Sequence, residues 1–147
     1  MLKILIMGLG AFFVMQVHAF SCYLTVAKDN CWKDYNVTIG VFDTSNDKQI
    51  ATLIIPEGSA WARQAFTCQP GEKLRFQAQF TPVFWESDQG KVYPAKDFWT
   101  LPDKPAQGDI AWNITLCYPE QFSEVPFPPQ AGAHCKCDLS GIPPIKP

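Results

Sequence analysis

The seven residues LRFQAQF, 74–80, alternate without exception: Leu74, Phe76, Ala78 and Phe80 share one face of an extended chain, and Arg75, Gln77 and Gln79 the other. A period of two marks a strand with one face buried and one face wet. Comparable runs stand at CYLTVA (22–27), YNVTIGVF (35–42), QIATLII (49–55), WARQAFTC (61–68) and IAWNITLC (110–117). In the last, Ile110, Trp112, Ile114 and Leu116 share a face.

Turn residues separate these runs: DTSND at 43–47, PEGS at 56–59, and QPGEK at 69–73. Pro70 and Gly71 fit the two central positions of a type II turn, because proline presets φ for the first and glycine accepts a positive φ at the second. Short strands at near-regular spacing predict an all-β fold. The expected form is an antiparallel six- to seven-stranded β-sandwich, immunoglobulin-like or similar. No amphipathic helix and no internal repeat is evident.

The N-terminus reads as a leader. MLKILIMGLGAFFVMQVHA has one charge at Lys3, an apolar run from Ile4 to Met15, and small-residue spacing up to Ala19. That is the layout of a secretory signal peptide spanning 1–19, cleaved after Ala19. The run is about twelve residues against the roughly twenty of a membrane-spanning helix, so no membrane span is expected in the mature protein. Lipoprotein processing at Cys22 is the rival reading. Phe20 is bulky where a small residue is needed, and the usual leucine is missing. Export to the periplasm or the extracellular space is the expected localisation.

Removing residues 1–19 takes away Lys3 and no acidic residue. The 12 basic residues of the full chain become 11 against 14 acidic ones, a formal charge of −3. Interspersed, weakly acidic charge offers no basic stripe to a phosphate backbone, so no nucleic-acid partner is expected. It also lacks a polybasic cluster for anionic lipid. The remaining length suits one sandwich domain over 20–117, followed by a tail, 118–147, packed on it or extending from it.

All six cysteines, Cys22, Cys31, Cys68, Cys117, Cys135 and Cys137, lie after the leader. An even count in an exported chain predicts a framework of three disulfides. Six cysteines allow fifteen pairings. The short Cys22-to-Cys31 interval favours that pair, and Cys135 and Cys137 are expected to bond to different partners. Seven prolines in the last thirty residues exclude a central strand or long helix there, so the tail is expected to run extended over the sandwich.

Three constellations could carry function. His134, Cys135 and Cys137 offer nitrogen and soft sulfur ligands for copper or zinc, or a thiol pair for redox chemistry. Against this, no second Cys pair completes a closed zinc site. The tail also carries the only histidine outside the leader, which leaves a Ser-His or Cys-His hydrolase without an oriented base. Glu57, Glu86, Asp88 and Glu120 could pair as in a glycosidase only if folding brought two together. Last come Phe84-Trp85 and Phe98-Trp99. Adjacent residues of an extended segment face opposite ways, so one ring of each pair should point outward and could contact a protein or a sugar.

No phosphate-binding loop or dinucleotide fingerprint is present, and no cofactor is called for. Two N-glycosylation tripeptides, Asn36-Val37-Thr38 and Asn113-Ile114-Thr115, fall within predicted strands. The sequence reading is therefore an exported, non-enzymatic binding module for protein or carbohydrate, with a metal-binding or thiol-redox tail as the alternative.

Overall fold

The computed structural model describes residues 10–13, 20–107, 109, 111–132 and 134–145. Most of the proposed leader, and Ile110, lie outside these residues. Eight strands form: β1 (Phe20–Lys28), β2 (Asn36–Asp43), β3 (Gln49–Ile55), β4 (Trp61–Cys68), β5 (Lys73–Thr81), β6 (Tyr93–Pro94), β7 (Trp99–Thr100) and β8 (Trp112–Tyr118). Two short 3-10 turns, Asn30–Trp32 and Glu86–Asp88, are the only helical elements among the described residues.

The strands make two sheets, β4-β1-β8 and β3-β2-β5-β6, with β7 also pairing β5. The alternating faces meet between them. Leu74, Phe76, Ala78 and Phe80 are all buried, opposite Leu24 and Val26 of β1 and Ile114 and Leu116 of β8. Gly71 adopts φ +73°, and the Glu72 N–H donates to the Gln69 carbonyl at 3.2 Å, which closes the turn before β5 as its Pro-Gly pair requires. The β3–β4 connection passes the chain from the five-stranded sheet to the three-stranded one.

One pairing departs from the antiparallel pattern. β8 runs parallel to β1, with Leu24 opposite Ile114 and Ala27 opposite Cys117. Short connections give antiparallel neighbours and parallel ones need a long crossover; here all of β2–β7 lies between β1 and β8.

The disulfides are Cys22–Cys68, Cys31–Cys135 and Cys117–Cys137, and no cysteine is free. The expected Cys22–Cys31 pair does not form. The interval between them is strand rather than loop, and Cys22 and Lys28 are roughly 20 Å apart along it, far beyond the reach of one bridge. Cys22 lies instead beside Cys68 on antiparallel β4, inside one sheet and facing the core. This bond therefore does not join the two sheets as the antibody-domain disulfide does.

At one end the core is closed by rings. Trp32, fully buried, packs with Phe80 at 4.7 Å, Tyr118 at 4.9 Å, Tyr35 at 5.2 Å and Phe84 at 5.7 Å between ring centroids. Beside it the buried Lys28 ammonium donates to the Tyr35 carbonyl at 2.7 Å and the Pro56 carbonyl at 3.0 Å. These bonds tie the end of β1 to the start of β2 and to the β3–β4 turn. Burial holds the Lys28 pKa below the usual lysine range, and the nearby Glu57 and Asp34 carboxylates oppose that shift.

Trp32→Ala should therefore lower unfolding stability by about 3–5 kcal/mol, while Trp85→Ala, at a ring 58 % exposed, should cost under about 1 kcal/mol. Chemical denaturation with the disulfides intact checks this. Equal losses would mean the ring cluster is not a packed unit.

Candidate functional site

Past β8 the chain turns sharply. The Gln121 N–H donates to the Cys117 carbonyl at 3.0 Å and the Phe122 N–H to the Pro119 carbonyl at 2.9 Å. This turn buries Phe122 and bridges it to Ala95 on the opposite sheet's side. The proline-rich stretch then loops away and returns at 134–137. There the Asn30 side chain accepts from the Lys136 N–H at 2.8 Å and donates to the His134 carbonyl at 3.2 Å. The Asn30 N–H donates to the Lys136 carbonyl at 3.2 Å. Cys31–Cys135 and Cys117–Cys137 lock the same stretch covalently.

Between this return and the turn after β8 lies a cleft of about 640 Å³. Phe122, Val125 and Phe127 supply apolar surface, Lys96 and Lys136 positive charge, and Glu120 and Glu124 negative charge. Phe127 is 76 % exposed. Asp29 also lines the cleft and is itself buried. Its Oδ1 accepts the Cys31 N–H at 2.9 Å, capping the turn Asn30–Trp32. Burial raises the Asp29 pKa above the usual carboxylate range, and the Cys31 and Trp32 amides pull it back. Burial likewise pushes up the hydroxyl of Tyr118, with Tyr93 and then Asp29 adding to the shift.

The rest of the tail crosses the outer face of β4-β1-β8. The Arg63 guanidinium donates to the Pro143 carbonyl at 2.8 Å and to Thr25 Oγ1 at 2.7 Å. The Thr25 hydroxyl donates to Asn113 Oδ1 at 3.2 Å. Thr25 and Ala27 point outward, yet both are buried. Asn113 Nδ2 donates to the Thr115 hydroxyl at 3.1 Å, and Asn36 Oδ1 accepts from the Glu57 N–H at 2.7 Å, so both tripeptide asparagines are engaged within the fold.

The residues singled out in the sequence separate. Cys135 and Cys137 are half-cystines and present no thiolate beside His134, whose side chain is exposed. Asp29, Cys31 and Cys135 place ligand atoms within 4.8 Å of one another, but the two sulfurs are bonded to each other. Of the four carboxylates, Glu120 lines the cleft, while Glu86 and Asp88 sit on the turn beyond β5.

Phe84 and Trp99 pack against the core, and Trp85 and Phe98 are 58 % and 59 % exposed. The two pairs flank opposite ends of β5: Trp99 pairs Leu74, whereas Phe84 follows Thr81, which is roughly 23 Å from Leu74 along the strand. They do not form one platform. Phe98 is covered on one face by the Lys73 ammonium, 4.4 Å from its centroid. The sequence reading overlooked Asp29, Asn30 and Phe127. A readable signal for the first was Asp-x-Cys, in which an aspartate can cap its own short turn.

Comparison with protein-family models, curated proteins and solved structures finds no match for the chain.

Glu72 precedes β5 near the Phe98 end. Burial, and then the adjacent Asp43, push its carboxyl up to about 7 from an ordinary 4.5. The folded chain thus holds this proton more tightly than the unfolded chain. Its contribution is full below about pH 4.5 and is lost as pH rises towards 7. Glu72→Gln should flatten the fall in denaturation midpoint across that window and leave the variant the more stable at neutral pH. An unchanged pH slope would contradict this.

Proposed function

We propose that the chain is an exported, non-enzymatic binding module whose cleft beneath the returning tail takes an extended segment of a protein partner. The observation that carries this reading is the pairing of an apolar wall, Phe122, Val125 and the largely bare Phe127, with a rim of mixed charge. An aromatic ring bordering a partly desolvated cleft suits an anchor side chain, and a rim with both signs of charge suits a polypeptide backbone and its flanking charges. Export is supported by three disulfides, which persist in oxidising compartments. No described helix is long and apolar enough to cross a membrane. A sugar platform is the weaker use of the aromatics, because Trp85 and Phe98 stand apart.

Panning a displayed library of random peptides on the folded protein tests this. Selected peptides should lose at least about tenfold in affinity to Phe127→Asp, a loss typical of a removed anchor, and bind Trp85→Ala unchanged. Peptides indifferent to Phe127, or a glycan array signal lost in Trp85→Ala, would overturn the assignment.

A further inference from the structure

The three disulfides differ in their surroundings. Cys22 and Cys68 are buried in the core. Cys117 is buried, and the Cys137 sulfur lies 3.4 Å from the Ala27 carbonyl oxygen and 3.7 Å from that of Tyr118. In Cys31–Cys135 both residues are partly exposed. Cys135 lines the 640 Å³ cleft, as Cys117 and Cys137 do, and unlike them it also lines a neighbouring cavity of about 510 Å³ walled by Phe127, Pro128 and Gly132. Cys31 borders neither of these cavities and sits behind it, against the buried Asp29 carboxyl, which is within 4.8 Å of both sulfurs.

Resting on the cleft reading above, we propose that Cys31–Cys135 exchanges stoichiometrically, without turnover, with a dithiol on the segment that enters the cleft, with Asp29 giving a proton to the departing Cys31 sulfur. A substrate thiolate attacks Cys135 Sγ from the open side. The S–S bond breaks, Cys31 leaves with the electron pair, and the Asp29 proton converts it to a thiol, leaving a carboxylate. The second thiol of the substrate loses its proton to solvent and attacks the substrate sulfur of the mixed disulfide. A substrate disulfide forms, and Cys135 departs as a thiolate that solvent protonates. Two electrons pass from the dithiol to the protein. The more accessible sulfur is the one attacked, and protonation of the poorer-placed leaving group favours release.

Other ties remain when this bond opens. Cys22–Cys68 still staples the core and Cys117–Cys137 still holds the tail, while Asn30 keeps its three hydrogen bonds to 134–136. The charged groups around Asp29 are Lys96, Lys136, Glu120 and Glu124 across the cleft, with the Tyr118 hydroxyl behind it. Burial already favours the protonated carboxyl.

The test is reduction of the intact folded protein by dithiothreitol from about pH 4, close to the ordinary carboxyl value of 3.8, to about pH 8.5, with N-ethylmaleimide trapping and peptide mapping of each bond. Asp29→Asn retains the turn cap and removes the proton donor; Asp29→Ser serves as a second such variant. Cys31–Cys135 should open first. Its rate in the parent relative to Asp29→Asn should fall about tenfold with rising pH, as a donor becomes a repelling charge, while the same ratio for Cys117–Cys137 stays level. A flat ratio, or another bond opening first, would overturn the proposal, as would loss of the fold in both variants, which would make Asp29 a structural residue alone.

Discussion

The architecture turns on the parallel pairing of β8 with β1. Strands paired in parallel finish side by side, so the end of β8 lies where β1 ends, with Cys117 opposite Ala27 and Tyr118 opposite Lys28. Cys31 follows β1 by three residues. Two cysteines far apart in sequence thereby become neighbours, and a Cys-x-Cys at 135 and 137 can bond to one each. An antiparallel β8 would have put Cys117 near Cys22 instead. The long loop closed by Cys31–Cys135, 104 residues, is the kind whose cross-link restricts the unfolded chain most, by about 4–5 kcal/mol in the chain-entropy account.

From this anchor the tail has a defined path. Cys117 faces away from the core, because it alternates with the buried Leu116 and Tyr118 on the inner side. A bond to it draws the tail across the outer sheet face, where Arg63 holds the Pro143 carbonyl. Thr25 and Ala27 become buried on a face that a sandwich would leave to water. Proline serves this role well: it stiffens a segment that cannot join a sheet and limits the entropy lost on docking. The cleft is the space left where this segment leaves β8 and comes back.

Local patterns were readable in the residues and long-range ones were not. The alternation at 74–80 identified β5 and its buried face, and the Pro70-Gly71 pair identified the turn before it, because both follow from the backbone demands of a few consecutive residues. Even the outward rings of Phe84-Trp85 and Phe98-Trp99 follow from alternation. The parallel register of β8 depends on a connection from β1 that runs through residues 29–111 and most of the sandwich, and no local period encodes that. The disulfide pairing failed for the same reason: Cys22 to Cys31 is short in sequence but extended in space. Asp29 and Phe127 became interesting only when the tail came back over them.

The bonding pattern of the six cysteines is the most direct reading of this account. Proteolysis of the non-reduced, alkylated protein followed by mass spectrometry of linked peptides should recover Cys22–Cys68, Cys31–Cys135 and Cys117–Cys137, with no thiol alkylated. A peptide joining Cys22 to Cys31, or Cys135 and Cys137 exchanged between Cys31 and Cys117, would contradict the placement of β8 and of the tail that depends on it.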